Sequence, residues 1–126
     1  MAKGIILLVD DSPLVLSMTR DFLEGGGYEV VTCDSWVEVN PIIRNQRPDL
    51  ILLDLMMPGI AGEQICETLK KYEHSREIPV ILYSTKPEEE LKQAQVQAGA
   101  DGYIPKRLAP QELVAEVDDY FRKLCS

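Results

Sequence analysis

Five short apolar runs punctuate the chain: Ile5–Val9, residues 28–33, Leu50–Leu53, residues 79–83 and residues 102–104. They lack the polar alternation of a half-solvated strand. They therefore predict strands buried on both faces, the habit of a parallel sheet. Amphipathic stretches at helical spacing run between them. Ser12 suits an N-cap and Pro13 the first helical position. Val15, Met18, Phe22 and Leu23 then share a face, and Gly25-Gly26-Gly27 ends the helix. A second helix, roughly 35–45, contains Pro41. An interior proline costs about 3 kcal/mol, so a kink or a restart at Pro41 is predicted. Residues 63–72 align Ile65, Leu69 and Tyr72. Glu88–Ala98 carries acids in its first turn, where the helix dipole favours them, and turns Leu91, Ala94 and Ala98 inward. The last helix begins at Pro110 and aligns Leu113, Val117, Tyr120, Phe121 and Leu124.

Strand followed by helix, five times over, predicts an α/β fold: a doubly wound parallel sheet with right-handed crossovers and helices on both faces. The 126 residues fit one domain, with no linker and no low-complexity tract. Apolar residues at 45% and charged residues at 27% exclude global disorder. No apolar run approaches the roughly 20 residues that span a bilayer. Thirteen basic against 21 acidic side chains give a net charge of −8. That balance argues against direct nucleic-acid contact, which needs a concentrated positive surface. Cys33, Cys66 and Cys125 form no CxxC pair and read as free thiols in a reducing cytoplasm. His74, the lone histidine, sits among charged residues and reads as a solvated surface side chain.

In such sheets the functional crevice lies at the carboxyl ends of the strands. The first run ends in Asp10-Asp11, the third in Asp54, the fourth in Ser84-Thr85, and the fifth is followed by Lys106. Any one of these could be a helix cap or a solvated strand end. Three carboxylates at one rim repel, by about 4 kcal/mol for a pair at 4 Å and an effective dielectric of 20. A hard divalent cation relieves that, and Mg²⁺ accepts few carboxylates and several waters. Carboxylates, a hydroxyl, an amine and a hard cation together make a phosphoryl site, in which a carboxylate can be the nucleophile.

On these residues the chain resembles a response-regulator receiver domain of two-component signalling, chemotaxis-regulator-like, over essentially its whole length. Asp54-Leu55-Met56-Met57-Pro58 with Gly62 matches the loop after the phosphorylated aspartate, and Gly99-Ala100-Asp101-Gly102-Tyr103 the approach to the final strand. The resemblance implies a flavodoxin-like (βα)5 sandwich of strand order 2-1-3-4-5. It implies that Asp54 accepts a phosphoryl group from a phosphohistidine on a sensor histidine kinase or phosphotransfer protein. Asp11, Asp54 and the backbone carbonyl of Met56 would ligate Mg²⁺ (or Mn²⁺) directly, and Asp10 mainly through water. Lys106 would pair with one phosphoryl oxygen and Ser84 with another. Tyr103 would then move, altering the affinity of the face formed by the fourth helix, fifth strand and fifth helix for a downstream protein effector. A homodimer through the last two helices is among the arrangements it implies, and its members are cytoplasmic.

Two features depart from the pattern. Arg107 stands where most receivers follow the lysine with proline, and Pro105 precedes the lysine instead. The Lys106–Arg107 bond stays open between cis, favoured because Lys106 must still point into the pocket, and trans, which would change the loop after the fifth strand. Met56 borders the pocket with a side chain unable to hold a hydrolytic water, which predicts slow self-dephosphorylation. Other functions stay open: a receiver acting as a phosphorylation-independent binding module, or a fragment of a larger regulator or hybrid kinase. A haloacid-dehalogenase-type enzyme would want an acid where Met56 stands. A flavin-binding domain would not place the acidic, glycine-free Asp10-Asp11-Ser12-Pro13 loop against a flavin phosphate.

Overall fold

The computed structural model describes residues 1–125. Five parallel strands, β1 (Ile5–Val9), β2 (Glu29–Cys33), β3 (Leu50–Leu53), β4 (Val80–Ser84) and β5 (Gly102–Pro105), lie in the order β2-β1-β3-β4-β5. The helices are α1 (Pro13–Gly25), α2 (Val39–Gln46), α3 (Gly62–Leu69), α4 (Glu88–Ala98) and α5 (Pro110–Leu124). This is the doubly wound parallel sheet expected from the strand–helix alternation, in the flavodoxin-like strand order that the resemblance implies.

The uninterrupted apolar runs have a simple cause. Alternate residues of each strand enter two separate cores. Leu7, Val9, Ile51, Leu53 and Leu82 pack with Ile43, Ile65 and Leu91 of α2, α3 and α4. Ile6, Leu8, Leu50, Leu52, Ile81 and Ile104 pack with Leu23 of α1 and with Leu113 and Val117 of α5. Both faces are dry, so neither set can be polar.

Local signals set the helix ends. Ser12 caps α1, its Oγ accepting from the Val15 amide at 3.3 Å, and Pro13 opens the helix. The chain leaves α1 through the triple glycine, with Gly27 taking the positive φ of 100°. Three glutamates occupy the first turn of α4, and Leu91, Ala94 and Ala98 are buried as predicted. Glu112 reaches back to the Ala109 amide at 3.0 Å at the start of α5.

Five expectations need correction. The second helix does not restart at Pro41. A 3₁₀ turn over Trp36–Glu38 leads into α2 at Val39. Pro41 is then in the first helical turn, where an amide has no intrahelical acceptor to lose. Met18 is 46% exposed, and the buried position on α1 belongs to Thr19, whose hydroxyl lies 3.2 Å from that of Tyr83. α3 stops at Leu69, which leaves Tyr72 outside the core, stacked on His74. His74 is half-buried rather than freely solvated, with Nε2 at 3.3 Å from Asn40 Oδ1. Leu124 is likewise exposed, whereas Cys33 and Cys66 are buried thiols.

The last helix is fastened to the last strand by one hydroxyl. Tyr120 Oη accepts from the Tyr103 amide and donates to the Tyr103 carbonyl, both at 3.1 Å. A β-carbon on Gly102 would run into the Tyr120 ring, so glycine is needed beneath it. Tyr120→Phe should cost about 1–2 kcal/mol by orphaning both backbone groups. A urea melt checks this, and an unchanged midpoint would contradict it.

Candidate functional site

The carboxyl ends of β1, β3, β4 and β5 deliver the predicted residues to one edge. Asp10 and Asp11 follow β1, Asp54 follows β3, Ser84 closes β4 and Lys106 follows β5. Carboxylate oxygens of Asp10, Asp11 and Asp54 lie within 4.8 Å of one another. Asp10 is 1% exposed and Asp54 is 3% exposed, whereas Asp11 faces solvent.

Lys106 is the cation of the site. Its Nζ lies 2.6 Å from Asp10 Oδ2 and 3.2 Å from Asp54 Oδ1. It also sits 5.6 Å from the centre of the Tyr83 ring, a cation–π contact. Burial works against the ammonium, but the two aspartates outweigh it and hold Lys106 above the ordinary lysine value. Burial pushes the Asp54 carboxyl up. Lys106 opposes that rise and neighbouring Asp10 adds to it.

Backbone donors complete the cradle. Asp10 Oδ1 accepts from the Ser12 amide at 3.0 Å, and Asp54 Oδ1 from the Met56 amide at 3.3 Å. The α1 cap and the first carboxylate are thus built by the same turn. Ser84 is fully buried, with Oγ accepting from the Lys86 amide at 3.2 Å. Its hydroxyl proton remains for another acceptor.

Three ionised carboxylates and one ammonium leave two formal negative charges, the charge a divalent cation brings. The donors are hard oxygens, the ligand type of Mg²⁺ and Mn²⁺. The residues therefore fit a hard divalent metal ion.

The described residues contain no cis peptide bond, so the favoured cis Lys106–Arg107 linkage is absent. Before a non-proline residue that form costs about 2.5–4 kcal/mol. It is also unnecessary, because Lys106 reaches both aspartates from a trans backbone. Tyr103 is half-buried on β5, and burial together with the nearby Glu88 carboxylate of α4 pushes its hydroxyl above the ordinary tyrosine value. Met56 projects outward, 61% exposed, at the mouth. Sequence reasoning missed Tyr83 and Thr19. A strand tyrosine and a helix threonine carry no pattern that announces a role beside a lysine.

The sequence pattern of the response regulator receiver domain matches residues 6–118. The phosphate regulon transcriptional regulatory protein PhoB of Pseudomonas aeruginosa is 38% identical over 98% of this chain and 54% of its own length. Transcriptional regulatory protein BaeR of Escherichia coli is 35% identical over 94% of this chain and 48% of its own. The chain thus spans about half the length of these curated relatives. Among solved structures, chemotaxis protein CheY4 of Vibrio cholerae has a TM-score of 0.83 at 28% identity, covering 94% of this chain and 98% of that one. The signal receiver domain of a signal transduction histidine kinase from Syntrophus aciditrophicus has 0.83 at 30%, covering 96% and 92%. No helix among the described residues is long and apolar enough to cross a membrane. With the strand order, the acidic strand-end cluster and this match in agreement, the chain belongs to the response regulator receiver domain family.

Proposed function

We propose that this chain is a phosphorylation-activated signalling switch with Asp54 as its acceptor. The reading rests on one observation: a buried carboxylate at the end of β3 lies 3.2 Å from a lysine and beside two further aspartates. One Asp54 oxygen forms the new O–P bond as the N–P bond of a phosphohistidine breaks. The donor imidazole leaves with the electron pair. The donor is a sensor histidine kinase or a phosphotransfer protein.

Asp11, Asp54 and the Met56 carbonyl would hold Mg²⁺ or Mn²⁺, with Asp10 alongside. When bound, the ion supplies positive charge for the phosphoryl oxygens. Lys106 holds one further oxygen, exchanging part of its present pairing with Asp54. Ser84 donates its hydroxyl proton to another. These bonds exist only with the group attached, so they shift the population between two arrangements of the chain. Tyr103 carries the change to the face formed by α4, β5 and α5, where a protein effector binds. The longer relatives leave room for an attached output region, and this domain itself is acidic and contacts no nucleic acid. The setting is cytoplasmic.

The test is intact mass after incubation with acetyl phosphate and Mg²⁺. A single phosphoryl adduct is expected on the parent, and none on Asp54→Asn or in EDTA. An adduct on Asp54→Asn would move the acceptor elsewhere. No adduct on the parent, where another receiver is labelled in parallel, would leave a phosphorylation-independent binding module.

Met56 sets the lifetime of the adduct. A thioether cannot orient an attacking water by hydrogen bonding as a polar side chain can. Without a phosphatase the phosphorylated form should outlast about a minute, and Met56→Asn should shorten it roughly 10-fold. The decay of the adduct mass measures both, and a parent half-life of seconds would contradict the assignment.

A further inference from the structure

At the opposite pole of the sheet, before β3 and β4 begin, lies a cavity of about 590 Å³. Ile43, Arg44, Arg47, Pro48, His74 and Ile78 line it. A second hollow of about 470 Å³, along Asn40, Pro41 and Asn45, shares Arg44 with it. Carboxylates outnumber cations by eight in this chain, and Arg20, Arg76 and Arg122 each lie against one. Arg44, Arg47 and Arg107 do not, and of these Arg44 and Arg47 share one cavity. Among the described residues neither guanidinium has a hydrogen bond or an ion pair.

The backbone gives a second, independent observation. Arg47 caps α2 at φ 48° and ψ 63°, the left-handed region that side chains avoid. Glycine or asparagine normally fills that position, and α4 does end on Gly99 at φ 72°. Arg47 is the only non-glycine residue with positive φ among those described. Strain kept at a residue whose head group serves no structural contact points to a task for that head group.

The chemistry of the lining defines the ligand. Two guanidinium forks suit an oxyanion taken bidentately. Ile43, Pro48 and Ile78 offer an apolar wall. His74 is fixed beside them by Asn40 and by its stacking on Tyr72, with ring centroids 5.7 Å apart. The volume falls within the roughly 300–1,000 Å³ of small-molecule pockets and exceeds what a bare anion needs. Pro48 precedes Asp54 by six residues along β3, roughly 20 Å at the rise of a strand. The occupant is therefore not the phosphodonor of Asp54.

We infer that this cavity binds a small phosphorylated organic anion. Arg44 and Arg47 grip the phosphomonoester, and its flat or aliphatic body lies against Ile43, Pro48 and Ile78. The inference stands whether or not Asp54 is phosphorylated.

The probe is adenosine 5′-monophosphate, titrated without divalent metal into the ¹⁵N-labelled chain and followed by two-dimensional NMR. Adenosine and inorganic phosphate form separate arms. Saturable shifts are expected at Ile43, Arg47, His74 and Ile78, with each half-molecule binding about tenfold more weakly or worse. Arg47→Gly relieves the left-handed strain, so it should melt no lower than the parent while losing about tenfold in affinity. A merely structural arginine would not separate those two results. Arg44→Gln should lose affinity by a similar factor. Absence of saturable shifts at these residues up to about 10 mM overturns the inference. So does undiminished binding when both arginines are replaced. Equal affinity for inorganic phosphate overturns the assignment of an organic body. An acidic peptide that shifts these residues where the nucleotide does not would overturn it in favour of a protein partner.

Discussion

Replacing Lys106 with methionine is expected to lower stability by about 3–5 kcal/mol at pH 8 without divalent metal. The loss does not come from a surface ion pair. Asp10 and Asp54 are almost fully buried, and Lys106 is the cation that touches both. Without it, two like charges stay in a poorly solvated site. The pH dependence follows. Burial already holds the folded Asp54 carboxyl above its unfolded value, and removing Lys106 takes away an opposing influence. Between the unfolded value, about 3.9, and the raised folded one, the folded state binds more protons than the unfolded state. Stability of the variant should therefore fall as pH rises through that window and stay low above it. In the parent, Lys106 is itself raised by its partners. That contribution is complete below the unfolded lysine value and is lost only as pH climbs through the folded one. Urea melts at pH 5 and pH 8, with and without MgCl₂, check the whole pattern. The deficit should be largest at pH 8 without metal and should shrink on adding Mg²⁺. A variant as stable as the parent at pH 8 without metal would show that the carboxylates are solvated after all.

Gly62→Ala should have the largest effect of any one-carbon change near the site. Gly62 opens α3, and its amide donates to the Leu55 carbonyl at 3.2 Å. A β-carbon there would stand 2.6 Å from both the Asp54 carbonyl oxygen and the Leu55 Cα. Both obstacles are backbone, so no rotamer relieves the clash. The start of α3 must move away from the end of β3, or Asp54 must move with it. A cost of about 1–3 kcal/mol is expected. Phosphoryl uptake from acetyl phosphate should slow by about 100-fold if the carboxylate shifts by roughly 1 Å. Gly59→Ala is the matched control. Gly59 has a φ of 88° and open space around it. Alanine there strains the loop by roughly 1–2 kcal/mol without pushing on Asp54. Its labelling rate should stay close to the parent's. Equal slowing in both variants would mean that loop flexibility, not the position of Asp54, limits the reaction.

The parallel sheet was legible because both of its faces are buried, so each strand appears as an unbroken apolar run closed by an acid or a hydroxyl. Those closing residues were also the site, since strand ends on one side of a parallel sheet necessarily share an edge. What escaped was whatever depends on how helices sit on that sheet. Helical spacing placed Met18 with Val15 and Phe22, but α1 is rotated so that Thr19 faces inward and meets Tyr83. Tyr72 continued the α3 pattern past the point where the helix actually ends. Pro41 looked like a break because the start of α2 could not be located to within one turn. The isomer of the bond after Lys106 could not be decided from the residues, and an ordinary trans backbone carries the ammonium to its partners. Arg47 was invisible as well, because a left-handed arginine has no signature in composition or periodicity.

The Tyr120 hydroxyl has a consequence beyond joining α5 to β5. A terminal strand of a sheet normally offers a row of free amides and carbonyls on which another chain can grow. On β5 the Tyr103 amide and carbonyl are both occupied by that hydroxyl, and Pro105 has no amide to offer. This flank therefore cannot template an added strand. Any association through α4, β5 and α5 must be side chain against side chain, and so reversible when a side chain moves, rather than a continuous sheet that would lock two molecules into a fibre.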